Sequence, residues 1–107
     1  MSVARTIESV YREIASVIVE SIPGSWVEAW IKADLEEDNA EFEFMFRKTA
    51  GGKPVSFAQN AQDRSYDVFL RFTELRDILM VSGKKPARGV TFRLEEGGKF
   101  KVEFSYE

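Results

Sequence analysis

The side chains that could do chemistry in this chain are chiefly carboxylates, because cysteine and histidine are missing. The 107 residues include no cysteine and no histidine. That removes thiol nucleophiles and disulfides, Ser-His-Asp and Cys-His catalysis, and most zinc sites. A carboxylate-only calcium or magnesium site stays open in principle. The acids are concentrated in one stretch, Glu36, Glu37, Asp38, Glu41 and Glu43. Glycosidase chemistry needs two carboxylates flanking a concave cleft. Glu41 and Glu43 alternate onto one face of a strand, and a flat sheet face is a poor pocket. Gly51-Gly52 and Gly97-Gly98 fit turns, and neither has the spacing of a phosphate or dinucleotide loop. No catalytic, metal or cofactor-binding residue is therefore assigned, and the chain is expected not to be an enzyme.

Recognition is the chemistry that remains. Trp26 and Trp30 lie four residues apart in a stretch of alternating pattern, which predicts one shared face among charged residues. Tryptophan is over-represented in interface hot spots because it covers much area at low entropy cost. The opposing reading is that a loop or the C-terminal segment covers both rings. The acidic run can act as a lure for a basic surface, where charge raises the association rate and sets specificity. A solvated turn is the plainer explanation of the same run.

The elements that position these residues follow from periodicity. Val3, Ile7, Val10, Ile14, Val17 and Ile18 recur at helical spacing and predict a helix over 3–21, stopped by Pro23-Gly24. Val27, Ala29, Ile31, Ala33 and Leu35 alternate through a strand over 26–35. Phe42, Phe44 and Phe46 do the same over 40–48, joined to it by the Glu36–Asn39 hairpin. Val55-Ser56-Phe57 suits a short edge strand, and 58–64 read as polar loop. A second helix is predicted over 66–82, with Ser65 as N-cap and Asp67 at the positive end of the dipole. Its buried side is read as Tyr66, Phe69, Phe72, Leu75, Ile78 and Leu79, with Gly83 and Pro86 ending it. Val90, Phe92 and Leu94, then Phe100, Val102, Phe104 and Tyr106, form a closing hairpin about Gly97-Gly98.

The order is α-β-β-(β)-α-β-β. It predicts an α+β fold, an antiparallel sheet of four to five strands with both helices on its apolar face, as one domain over 1–107. The opposite face would carry Glu28, Lys32, Asp34, Glu41, Glu43, Arg47, Arg93, Glu95, Lys101 and Glu103. Cross-strand ion pairs on a solvated face account for that pattern. A rigid partner surface accounts for it too. The candidate partner-binding set is Trp26, Glu28, Trp30, Asp34, Glu36, Glu37, Asp38, Glu41 and Glu43.

Charge and hydropathy limit the partners. The formal charge is −3 and the pI is near 5.1. Nucleic acid is not expected as a ligand, because phosphate binding needs clustered Lys and Arg. Arg5, Glu8, Arg12 and Glu13 interrupt any signal pattern at the start, and no apolar run is long enough to span a membrane. A soluble, cytoplasmic protein is expected, with a monomer favoured.

Three segments together resemble the YezG-like immunity protein family. They are the first helix running into Ile22-Pro23-Gly24-Ser25-Trp26 and a strand, the acid-rich hairpin leading to Phe42-Glu43-Phe44, and the stretch from Leu94 through Glu96-Gly97-Gly98-Lys99-Phe100 to Tyr106-Glu107. The last, with its Gly-x-Phe turn and terminal Tyr-Glu, is the most specific. The resemblance covers most of the chain but is poor over 49–65. It implies an antitoxin that neutralises a secreted or contact-delivered polymorphic toxin, often a nuclease, inside the producing cell. It carries over no binding residues. A peptide- or protein-binding adaptor using the same sheet face is the alternative.

Overall fold

The computed structural model describes residues 6–35, 40–81 and 88–105, the side chains of 80 and 81 excepted. Two helices and five strands follow in the order α1 (Ile7–Ser21), β1 (Glu28–Leu35), β2 (Ala40–Arg47), β3 (Val55–Ser56), α2 (Ser65–Val81), β4 (Gly89–Glu95) and β5 (Phe100–Ser105). The strands form one antiparallel sheet in the order β3-β2-β1-β4-β5. The expected α+β architecture is the observed one.

β1 lies at the centre because its Ala29, Ile31 and Ala33 are all buried and let the helices approach. Their register sets Phe46, Phe44 and Phe42 of β2 on one side and Leu94, Phe92 and Val90 of β4 on the other. The larger rings then fill the space under the helices. α2 covers the β2 side, where Phe72 meets Phe42 with ring centroids 5.6 Å apart. α1 covers the β4 side, where Tyr11 meets Phe92 at 5.9 Å. The helices run antiparallel, as the cross-links Glu20–Arg64 and Glu13–Arg71 require.

Local signals explain most boundaries. α1 begins where the Thr6 hydroxyl accepts a hydrogen bond from the Ser9 amide at 3.1 Å, satisfying one free donor of the first turn. The expected start at Val3 lies outside the described residues, as do Gly83 and Pro86. In the closing hairpin Gly98 alone takes a positive φ, +95°, while its amide bonds the Glu95 carbonyl at 2.9 Å. Gly97 is not the left-handed residue that the paired glycines suggested.

Three expectations about the 58–79 region are corrected. Ser65 does not cap α2 through its hydroxyl; it already has helical dihedrals, and its Oγ donates to the Gln62 carbonyl at 2.9 Å. Val68, not Tyr66, fills the first buried position of α2, and Tyr66 is 69% exposed. The buried stripe is Val68, Phe72 and Leu75. Tyr66 lies two residues before Val68, which at about 100° per residue puts it nearly half a turn off that stripe. The polar stretch 58–64 contains a short 3-10 turn at Gln62–Arg64, and Ala61 just before it is buried. Phe57 is buried as well, edge-on to Phe44 and Phe46 at 5.5 and 6.1 Å.

Candidate partner-binding surface

The face of the sheet turned away from the helices has two different halves. At one end stands Trp30, with the Arg47 guanidinium 4.8 Å and the Arg93 guanidinium 5.2 Å from its ring centroid. Arg93 is directly opposite Trp30 on β4, whereas Arg47 reaches it diagonally from β2. Each such cation–π contact contributes on the order of 0.5–1 kcal/mol at an exposed site. Glu28 accepts from both arginines, with its Oε2 3.2 Å from Arg47 Nη1 and its Oε1 3.2 Å from Arg93 Nη1. Arg47 also donates to the Gly52 carbonyl at 3.1 Å, and Arg93 to Glu103 at 2.9 Å. The ring is therefore held in one orientation by a network drawn from β1, β2, β4 and β5. Glu28 is engaged in that network and offers a partner little free charge.

The other half is acidic. Asp34 and Glu41 are register partners on β1 and β2, and Glu43 follows opposite Lys32. Like charges directly opposite in an antiparallel pair destabilise it. Arg88 offsets the Asp34 charge at 3.5 Å. Glu41 makes no ion pair among the described residues. These side chains border a shallow depression of about 240 Å³ lined by Lys32, Asp34, Glu41, Phe42 and Glu43. Among the described residues no group of three or more acidic side chains converges closely enough to hold a metal. Glu36, Glu37 and Asp38 lie outside the described residues.

The structure separates the two tryptophans. β1 begins at Glu28, so the strand alternation does not reach back to Trp26. Trp26 packs against the hydrophobic core, and Trp30 stands on the outer face. The expected pair of same-face rings is thus a single outer ring. Arg47 and Arg93, which clamp it, were legible as outer-face residues but not as its partners. Their spacing from Trp30 in sequence gives no signal, because only the register brings them together.

Electrostatics reinforce the network. The Arg93 hydrogen bond holds the Glu103 carboxyl below the usual carboxylate range, aided by nearby Lys101. On the helical side, the hydrogen bond to Glu13 raises the Arg71 guanidinium, and the bonds to Glu20 and Asp67 raise that of Arg64. Burial raises the Tyr11 phenol.

The family described as immunity protein YezG-like matches residues 7–107. The chain belongs to the YezG-like immunity protein family. It is similar to the immunity protein YezG of Bacillus spizizenii, with 27% identity over 109 aligned positions covering 91% of this chain and 66% of that protein. It is also similar to the type VII secretion system protein EsaG of Staphylococcus aureus, with 25% identity covering 99% of this chain and 71% of that protein. The chain thus spans about two thirds of the length of these relatives. The family match runs through 49–65, where the sequence resemblance was poor, and includes all of β1 to β5. No helix among the described residues is long and apolar enough to cross a membrane.

Proposed function

We propose that this YezG-like chain is an antitoxin that neutralises a cognate bacterial toxin by non-catalytic binding, and that the outer sheet face is the contact surface. The observation that carries this reading is the like-charged ladder pair Asp34–Glu41, beside Glu43, on a face that also holds a rigid, half-buried aromatic. Arg88 offsets the Asp34 side of this pair, and Glu41 is left facing a like charge, which costs some folding stability. A basic partner surface that settles on it removes the repulsion and turns the cost into specificity. The rigid Trp30 end would supply area, and the acidic end would steer.

A nuclease is the toxin class this charge pattern suits best. A nuclease is basic where it meets phosphate, and an array of fixed carboxylates can occupy that ground. A contact of the standard size, about 800 Å² on each partner, needs no cleft on the inhibitor. The partner set proposed from sequence is therefore retained in reduced form. Trp30 is the anchor; Asp34, Glu41 and Glu43 are the acidic contacts, with Glu36, Glu37 and Asp38 proposed beside them. Glu28 acts by holding Arg47 and Arg93 in place. Trp26 acts through the core.

The test is co-expression with the product of the adjacent upstream gene, in a cytoplasm lacking other antitoxins. The expected result is a stable complex, growth protection, and nucleic-acid cleavage by the toxin domain only when this chain is withheld. A toxin that kills equally with and without this chain contradicts the proposal. A toxin that is neutralised but cleaves no nucleic acid retains the antitoxin reading and removes the nuclease.

A further inference from the structure

The β5 strand is an edge of the sheet, with β4 on one side and no strand on the other among the described residues. Its polarity can be read from the ladder. The Lys99 carbonyl accepts from the Glu95 amide at 2.8 Å and the Ser105 carbonyl from the Arg88 amide at 2.8 Å. Odd-numbered residues of β5 therefore aim their backbone groups at β4. By strand alternation, Phe100, Val102 and Phe104 aim theirs at the open edge. Unpaired edge groups of this kind are a template for another strand.

We propose that the open edge of β5 pairs antiparallel with β5 of a second copy of this chain, about a two-fold axis at Val102. Three features of the strand select that occupant and that register. A hydrogen-bonded pair requires outward-facing residues on both strands, and only centring on Val102 uses all of Phe100, Val102 and Phe104. In that register each Lys101 stands opposite Glu103 of the other copy, so both charged positions are matched. Shifting by two residues either way puts Lys101 against Lys101 or Glu103 against Glu103, which like-charge repulsion disfavours. On the inner face the same register sets Phe100 opposite Phe104 of the second copy. Phe100 is the ring that needs cover: it is 51% exposed although it stacks on Phe92 at 5.4 Å and meets Tyr11 at 5.3 Å. It borders an open groove of about 320 Å³ that also includes Tyr11, Ala15 and Leu94. The other edge, β3, offers only two residues next to Pro54 and no comparable template.

The outcome is one continuous sheet across two molecules, with both outer faces on the same side. An isologous contact of this kind is self-complementary, as a two-fold dimer demands. It uses neither Trp30 itself nor Asp34, Glu41 and Glu43; Glu103 is shared, because Arg93, which holds Trp30, donates to it, and the Lys101→Glu variant tests the dimer without removing that bond.

Sedimentation of the purified chain alone, over a concentration series up to roughly 1 mM, tests it. The wild type is expected to pass from monomer to dimer. Val102→Pro removes one outward amide without touching the ladder to β4, and should leave a monomer throughout. Lys101→Glu alone and Glu103→Lys alone should each weaken self-association about tenfold, because two matched pairs become like-charged. An equimolar mixture of those two variants should dimerise again, since both acidic positions of the first variant would then face lysines of the second. This mixing arm remains decisive should the proline variant fail to fold. A wild type that stays monomeric across the series overturns the proposal. So does a dimer that tolerates the charge variants, or one that mixing does not restore.

Discussion

Trp26 and Trp30 are the same residue type four positions apart, yet they face opposite demands. Trp26 rests on the core, and Trp30 is gripped from outside by Arg47 and Arg93. Trp26→Ala is accordingly expected to lower folding stability by about 1–3 kcal/mol, somewhat less than for a fully buried tryptophan. Trp30→Ala should cost about 1–2 kcal/mol, the sum of two cation–π contacts on a half-buried ring. Urea denaturation of both variants checks the order, and a larger loss at Trp30 would contradict the separation. Glu103 provides a second test. Its carboxyl titrates below the usual range because Arg93 donates to it. The stabilisation is therefore present above the unfolded-state value and is lost as pH falls through the lower folded-state value. The side-chain NMR titration of Glu103 should move back up in Arg93→Gln; an unchanged midpoint would mean that the bond is not formed in solution. Which face Trp30 takes was legible from alternation alone. The clamp around it was not, because Arg47 and Arg93 meet it only through the register of three strands. Trp26 was misplaced because alternation was extended past the end of β1, into a segment where chain path rather than strand geometry orients the ring.

At the scale of elements, the seam between α1 and α2 carries the same ion-pair design twice at different depths. Arg64 joins Glu20 and Asp67 near the end of α1, and Arg71 joins Glu13 and Glu74 two turns further in. The Arg71 side chain is only 19% exposed, and its Nε is buried without a hydrogen-bond partner. Loss of the more buried guanidinium leaves the part-buried Glu74 carboxylate one partner short, whereas an exposed pair is screened by water. Arg71→Ala is expected to cost about 1–3 kcal/mol and Arg64→Ala less than about 1 kcal/mol. Chemical denaturation measures both, and equal losses would remove depth as the deciding factor. The strands were the most legible elements, since Phe42, Phe44 and Phe46 against Glu41, Glu43 and Arg47 leave one register that buries the rings. α2 was legible as a helix but not in its orientation. Aromatics occur around much of its surface, and the run at spacings of three from Tyr66 through Phe69 to Phe72 and Leu75 hid the Val68, Phe72, Leu75 stripe that the packing selects. Ala61 was hidden for a related reason: a lone small residue among polar neighbours carries no periodic signal.

For the whole molecule, helices close one side of the sheet and leave the other as a rigid, divided surface with an aromatic end and an acidic end. The division makes the proposed toxin contact separable into two kinetic parts. Removing the Trp30 ring should act on the formed complex, raising koff by roughly 30-fold if it contributes the 2 kcal/mol of a hot spot. Reversing charge with Glu41→Lys and Glu43→Lys should act before contact, lowering kon at low salt. That second loss should shrink as ionic strength rises, because screening shortens the reach of the field. Membership of the YezG-like family was legible in the sequence, through the helix-to-strand entry, the acidic hairpin and the C-terminal Gly-x-Phe turn. The division of the outer face was not, because it arises when β1, β2 and β4 bring distant charges into register. The most direct test is surface-binding kinetics of the toxin domain against wild type, Trp30→Ala and the Glu41/Glu43 charge reversal, each verified as folded. A fast-dissociating tryptophan variant and a slow-associating, salt-sensitive charge variant are the expected results. Wild-type association and dissociation rates for both would place the toxin contact somewhere other than the outer sheet face.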